Sequence, residues 1–414
     1  MDNPARHGIL PDMDSDLIIV GGGLNGPALA LAAAQAGLTS TVIDALARDV
    51  RKDTKFDGRS YALALASKRM LAALGLWDGL AEHAQPMNEI KVSDGRVNDA
   101  QVFLGLHFDS AEIEEVPMGY MLEDRFLRRA LMDALDAEPR ITHMAGETVI
   151  AQDVDARRVE VSLASGGSVS GRLLIGADGR QSGTCARAKI RRTGWSYGQT
   201  ALVCAIAHDK PNGGVAHQLF LPPGPLAILP LTGNRSSIVW SETDAQARAL
   251  NALPEEQYLE VLRPRFGDFL GEISVAGDRF TYPLNLTLAN SFISDRMALV
   301  GDAAHGMHPI AGQGLNAGLR DVAALAHVLS HAVRRGEDIA SPITLERYQS
   351  WRRFDTASLA AATDLFNRLF SNDNPLLRAG RDLGMALIGK APALRRNFIR
   401  EAAGLTGDLP DLMK

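Results

Sequence analysis

DLIIVGGGLNGPALALAAAQAGLTSTVID, from Asp16 to Asp44, carries the reading that decides the fold. Asp16 to Val20 is a short apolar run of the kind that forms a buried parallel strand. It passes directly into Gly21-Gly22-Gly23-Leu24-Asn25-Gly26, which fits G-x-G-x-x-G. Pro27 follows at the start of an Ala-rich stretch, where a missing N–H costs a helix least. Gly37 can end that helix, and Thr39 to Ile43 reads as a second strand closed by Asp44. The acid stands about 18 residues beyond the third glycine, near the spacing of a ribose-binding carboxylate. Glycines here make the tight turn and admit a pyrophosphate to the helix N-terminus. The unit predicts a dinucleotide site contacted by Gly21, Gly23, Gly26 and Asp44. It does not separate NAD from FAD, and a bare structural βαβ unit is the alternative.

A second strand-loop-helix lies far along the chain, at Met297 to Asp321: MALVGDAAHGMHPIAGQGLNAGLRD. Met297 to Val300 reads as a buried strand that hands a carboxylate to a ligand through Gly301-Asp302. Asp302 could accept hydrogen bonds from sugar-like hydroxyls. Gly312 and Gly314 would let the backbone approach a flat ligand. A helix beginning near Asn316 would point its positive end there. The plain alternative is an ordinary strand-loop-helix with a solvated aspartate.

Between these units the pattern changes. Asp57-Gly58-Arg59-Ser60 precedes a helical pattern through Leu63, Met70, Leu71, Leu74 and Trp77, and Arg59 could donate to a phosphate. Residues 86–117 alternate as strands do. Tyr120 to Leu135 is amphipathic, with Leu127, Leu131 and Leu135 on one face, and Arg125 at its start is another candidate contact. Arg172 to Ile175 leads into Gly176-Ala177-Asp178-Gly179-Arg180, a second apolar strand ending in Asp-Gly. From about 185 to 285 short strands separated by Pro and Gly turns predominate. The predicted organisation is α/β, with α+β character in the second domain. It comprises a Rossmann-like nucleotide-binding domain over 1–184 and 286–344, an inserted mixed sheet over 185–285 that forms a substrate wall, and a helical region over 345–414. The tail from Pro375 to Arg400 carries Arg378, Arg381, Lys390, Arg395, Arg396 and Arg400 against a single acid, Asp382. Such a basic, Leu-rich tail could lie on an anionic membrane or dock on a partner; a solvated helix is the alternative.

Composition excludes several classes. A net charge of -6 over 414 residues gives no nucleic-acid footprint. Two cysteines, Cys185 and Cys204, make neither a disulfide framework nor a typical zinc site, so no metal is assigned and a reducing compartment is expected. The first residues lack the pattern of a signal peptide, and no apolar run is long enough to span a membrane. The expected location is cytoplasmic, with peripheral contact at the inner face of the membrane through the basic tail.

Three motifs stand in fixed order: G-x-G-x-x-G with Asp44, then Asp178-Gly179, then Gly301-Asp302. That combination resembles the single-component flavoprotein aromatic hydroxylases, the group of para-hydroxybenzoate hydroxylase. The stretch from His308 to Gly318 followed by Asp321 narrows it, because HPIAGQGLNAG resembles the signature of the ubiquinone-biosynthesis hydroxylases of the UbiH/UbiF/VisC family. The segment GYMLEDRFLRRAL, Leu229-Pro230-Leu231 and the basic tail are also similar to that family.

The resemblance implies FAD as the cofactor. Gly21, Gly23 and Gly26 would then hold the pyrophosphate, Asp44 the adenosine ribose, and Gly301 and Asp302 the ribityl chain. Asp178 and Gly179 match a motif associated with FAD and the nicotinamide donor, NADH or NADPH. Arg59 and Arg125 match arginines that contact FAD. His308, Pro309 and the run Gly312, Gln313, Gly314, Leu315 and Asn316 would lie beside the isoalloxazine. Aspartate replaces the family's more frequent glutamate at position 44, which shortens the reach to the ribose. The implied reaction is hydroxylation of the aromatic ring of a polyprenylated phenol in ubiquinone biosynthesis, with O₂ as co-substrate and a flavin C4a-hydroperoxide as oxygen donor. A hydrophobic phenolic substrate and a ubiquinone-biosynthesis complex are the implied partners. His308 is the nearest candidate base by motif, and a structural histidine is the alternative. Two other functions fit the cofactor motifs: hydroxylation of a small soluble aromatic, and a non-catalytic FAD-binding scaffold of a biosynthetic complex. A flavin halogenase does not fit, since Trp195-Ser196-Tyr197-Gly198 departs from W-x-W-x-I-P.

Overall fold

The computed structural model describes residues 13–94, 105–113, 117–307, 312–370 and 391–414. Parallel pairing builds the first layer. Ser15–Val20 lies between Ser40–Asp44 and Ser168–Gly176, with Ile141–Ala145 outside the former and Met297–Leu299 outside the latter. Leu17, Ile18 and Ile19 are fully buried, as expected of a central parallel strand covered on both faces. Val149–Val154 and Val159–Leu163 extend the sheet antiparallel beside Ser168–Gly176. The helices Asn25–Gln35, Asp124–Ala137 and Gln313–Arg335 pack against this sheet in one core. Leu127, Leu131 and Leu135 of the second helix are each 1% exposed, and burial at that level contributes about 1.5–3 kcal/mol per leucine.

The second layer is a nine-stranded, mainly antiparallel sheet. Its order is His305–Gly306, Phe280–Ala289, Arg192–His208, Arg235–Thr243, Gly224–Leu231, Val215–Leu221, Glu89–Asp94 and Gly105–Asp109, with Ile273–Val275 beside Arg192–His208. One face is closed by the helices Asp244–Asn251 and Glu255–Phe266 around Trp240 and Tyr258. A small sheet of Ser60–Ala64, Gly119–Glu123 and Gln85–Met87 stands near the join. The α/β and α+β division therefore holds.

The expected domain limits need correction. Glu89–Asp94 pairs in parallel with Val215–Leu221, so strands assigned to 1–184 complete the second sheet. Phe280–Ala289 crosses the limit at 285, and His305–Gly306 returns to pair with it. The helix Pro342–Phe370 starts before 345. It is tied to the first domain by Tyr348, whose hydroxyl donates to the Leu299 carbonyl at 2.7 Å. Ser60–Ala64, including Leu63, is a strand and not part of a helix, because pairing with Gly119–Glu123 outweighs local propensity; the helix spans Leu65–Ala73.

Candidate active site

The parallel strands end together. The Gly21 amide donates to the Ile43 carbonyl at 2.8 Å, Ala177 N to Val20 O at 2.8 Å, and Val300 N to Gly176 O at 3.0 Å. All three motifs therefore open from one edge of the sheet, the carboxyl edge where open α/β sheets bind ligands.

Glycine makes the meeting close enough. Gly21 has φ +117°, and a Cβ there would run into the Ala177 carbonyl, which begins the Asp178 loop. A Cβ at Gly26 would strike the Gly21 carbonyl, whereas Gly23 faces open space. Asn25 joins this loop to the third motif: its side-chain amide sits against Gly301 and Gly318, where added Cβ atoms would overlap it. Its Oδ1 is buried with no hydrogen-bond partner among the described residues. The Asn25–Gln35 helix has no acid in its first turn, so its positive end is unneutralised. A glycine cradle, an orphaned buried acceptor and a free helix terminus at one sheet edge fit the pyrophosphate and ribityl portions of FAD.

The acids are placed differently from one another. Asp44 is 2% exposed and held by a two-bond clamp from Arg51, Nε to Oδ2 at 2.6 Å and the terminal nitrogen to Oδ1 at 2.8 Å. Asp44 also abuts Gly22, so a ribose contact there would share the carboxylate with Arg51. Asp302 is half-exposed and accepts from Arg180 Nε at 3.0 Å. Asp178 turns into its own loop. One oxygen takes Ser182 Oγ, and the other takes Thr184 N and Oγ1, both at 2.9 Å. Its carboxylate thus shapes the turn in which Gly179 has φ +79°, while the next residue, Arg180, faces the cleft.

Arg59 and Arg125 separate. Arg59 lines the cleft, pairing with Asp57 at 2.7 Å and Asp124 at 3.4 Å. Arg125 donates to Glu123 Oε2 at 2.7 Å and to the Thr54 carbonyl at 3.1 Å, over the ring of Phe56. Glu123 also receives Arg235 at 2.7 Å, so this cluster joins the small sheet to the large one. Asp124 is buried and gathers Tyr61 and Arg128 at 2.9 Å each. Burial, together with that neighbouring carboxylate, pushes the Tyr61 phenol well above its ordinary range.

The third motif enters helix at Gln313, earlier than Asn316, because Gly312 takes the left-handed conformation at φ +64° and turns the chain. Gly312 packs on Ala62. Asn316 staples this turn: its Oδ1 accepts from Ala64 N at 2.9 Å and Ser67 Oγ at 2.8 Å, and its Nδ2 donates to Ala62 O at 2.8 Å. Its amide is spent on the frame, so Asn316 positions the loop and leaves backbone to face a ring system. His308 and Pro309 lie outside the described residues.

A cleft of about 1490 Å³ separates this turn from the second sheet. Gly312, Gln313, Gly314, Leu315 and Asn316 form one wall. Val203, Val239, Ala227 and Gln218, a cross-strand row, form the other. Tyr282 and Arg180 stand between them, and Phe398 and Ile399 of the helix Pro392–Ala402 line one side. The strands that carry this row were legible in the sequence, and their cross-strand register was not. Arg180, Asn25 and Arg51 were not, because their roles come from packing between distant segments.

Residues 14–362 match the family described as FAD binding domain. The chain belongs to that FAD-binding family. It is 44% identical to ubiquinone hydroxylase UbiL of Rhodospirillum rubrum, covering 97% of this chain and 93% of the relative. It is 36% identical to 3-demethoxyubiquinol 3-hydroxylase of Escherichia coli, covering 96% and 100%. Among solved structures, p-nitrophenol 4-monooxygenase PnpA from Pseudomonas putida superposes with a TM-score of 0.78 at 20% identity, covering 95% of this chain and 98% of that one. That likeness shows the fold. Within the FAD-binding family the chain stands with the UbiH-type hydroxylases and is an FAD-dependent aromatic-ring monooxygenase.

Proposed function

We propose that the protein hydroxylates the ring of a polyprenylated phenol on the route to ubiquinone, with NADH or NADPH as electron donor. The cleft carries this reading. Its sheet wall is built of Val203, Val239 and Ala227, and it continues past Leu229 to Phe398. That length of apolar surface suits an isoprenoid chain better than a compact, charged aromatic. Relatives named for ubiquinone hydroxylation support the same class.

Bound FAD supplies the activation of O₂, so that one oxygen atom enters the ring and the other leaves as water. The chain's own residues bind and orient. Gly21, Gly23 and Gly26 would seat the pyrophosphate against the first helix. Asp302, already turned toward Arg180, would take ribityl hydroxyls, and Asp44 would take the adenosine ribose beside Arg51. The Gln313–Arg335 helix has no acid in its first turn, so its amides favour negative charge developing beside Gly312 to Asn316. The two walls exclude water from the ring.

The helix Pro392–Ala402 supports a peripheral membrane contact at the inner face. Leu394 is 43% and Phe398 36% exposed, with Arg396 and Arg400 exposed on the same helix. Arg395 is instead paired with Glu112 at 2.9 Å. Arg378, Arg381 and Lys390 lie outside the described residues. Among those residues no helix is long and apolar enough to cross a membrane. Partner proteins of a biosynthetic complex would meet the same surface.

Deletion of the gene in its host, followed by mass spectrometry of quinone lipids, tests the proposal. Loss of ubiquinone with build-up of a prenylated phenol lacking one hydroxyl is expected. Unchanged ubiquinone in a host without a redundant hydroxylase would redirect the activity to another aromatic.

A further inference from the structure

The helix that starts at the flavin-side turn carries a second group of functional side chains about 22 Å along its length, at 1.5 Å per residue from Gly312 to His327. His327 and His331 are four residues apart and share one face. Their rings stack with centroids 4.2 Å apart, and His327 meets Trp351 edge-on at 5.2 Å. Asp411, in the turn Asp411–Met413, brings Oδ2 to 2.9 Å from His327 Nδ1 and 3.6 Å from His331 Nε2. The three ligand atoms lie within 4.8 Å of one another. His327 Nδ1 and His331 Nε2 are shielded from solvent, and both face the Asp411 carboxylate.

We propose that His327, His331 and Asp411 bind a divalent transition-metal ion of the zinc class. Two imidazole nitrogens and one carboxylate oxygen are the donors that zinc and its neighbours take, with water completing a tetrahedron. Calcium and magnesium require oxygen-rich shells that these residues do not offer. Lys414 holds Asp411 Oδ1 at 2.8 Å, leaving Oδ2 for the ion and fixing the carboxylate as outer partners of metal ligands do.

The site's position suggests its use. Thr406, Gly407 and Met413 line the cleft, and Asp411 lies between them in sequence. An ion bridging Asp411 to the long helix would pin that wall of the cleft without touching the flavin-side residues.

Chelator-stripped, FAD-loaded full-length protein titrated with zinc against a chromogenic chelator is the test. One ion per chain is expected, with binding weakened at least ~10-fold in His331→Ala and unchanged in His107→Ala, a surface histidine elsewhere. Bound Co²⁺ should show the d–d absorption of a low-coordinate nitrogen–oxygen site in the wild type and lose it in the variant. Asp411→Asn, on a half-exposed side chain, serves if His331→Ala does not fold, and should weaken zinc likewise. No stoichiometric zinc in the wild type, or equal affinity in the wild type and a folded variant, overturns the proposal.

Discussion

His305 Nε2 and Asp321 Oδ2 stand 2.6 Å apart, with both side chains buried. The same Oδ2 accepts the Gly301 amide at 2.9 Å, and Oδ1 receives Arg352 Nε at 2.8 Å. One carboxylate thereby fixes the turn that presents Asp302, the helix Gln313–Arg335 and the helix that follows it. Burial opposes ionisation of Asp321, but His305 and Arg352 outweigh it and hold the group below its ordinary range.

Asp321→Asn should therefore cost both stability and cofactor. Removing one member of a buried charged group leaves Arg352 with only the part-exposed Asp355, at 2.9 Å, as a charged partner, at a cost of up to about 3–5 kcal/mol. The variant should unfold at lower denaturant and bind FAD more weakly, because the Gly301 turn loses its anchor. Since the folded pKa is depressed, the carboxylate's contribution is complete above the ordinary aspartate value and fades as pH falls through the folded one. Denaturant curves at neutral pH, read beside an FAD fluorescence titration, check both effects. Unchanged FAD affinity in a folded variant would remove the positioning role.

Gly21→Ala should abolish FAD retention. The position has φ +117° and no room for a Cβ beside the Ala177 carbonyl, and the left-handed strain alone costs about 1–3 kcal/mol. Gly23→Ala gives the contrast, because a Cβ there meets nothing within 4 Å of the protein. Its effect on stability should be small, so any loss of flavin would report contact with the cofactor itself. Flavin content after purification and thermal midpoints without added FAD separate the two.

His217 gives the pH dependence. Its ring packs on Phe269 at 4.6 Å. Burial, aided by Lys91 and opposed by Glu89, pushes its pKa from 6.5 to about 4. The unfolded chain binds the proton more readily, so this contribution is complete above pH 6.5 and is lost as pH falls toward 4. Allowing for partial exposure, the loss is roughly 2 kcal/mol. Urea unfolding at pH 7.5 and pH 5 should show a smaller acid-induced loss for His217→Phe than for the wild type. Parallel losses would assign the acid sensitivity to other groups.

Much of the fold was legible because it is locally written. The strand-glycine-helix unit at Asp16 to Asp44 needs its backbone shape whatever surrounds it, and Gly301-Asp302 ends a strand in the same way. What stayed hidden depends on pairing across the chain. Glu89–Asp94 looks like any alternating strand, and its membership of the second sheet comes from Val215–Leu221, more than a hundred residues away. Asn316 sits inside a recognised signature, yet its side chain serves Ala62, Ala64 and Ser67. Asp178 likewise reads as a ligand contact, while its hydrogen bonds shape the loop that delivers Arg180. His327 and His331 were not singled out in the sequence, because the third group, Asp411, is brought to them only by the folded chain.

Ala227→Trp tests the sheet wall as the seat of an apolar substrate. Ala227 pairs across strands with Val239 and Gln218, and all three line the cleft. The indole would project into space that the prenyl chain is proposed to occupy, without entering the packed core on the other face of the sheet. FAD content and thermal midpoint should stay near wild type. The kcat/KM for a long-chain prenylated phenol should fall at least ~10-fold, the effect of about 1.4 kcal/mol of lost transition-state binding, while a short-chain analogue loses less. Steady-state assays on the two chain lengths decide the matter: equal losses would place the obstruction at the ring, and no loss would place the chain along another wall, such as that of Phe398.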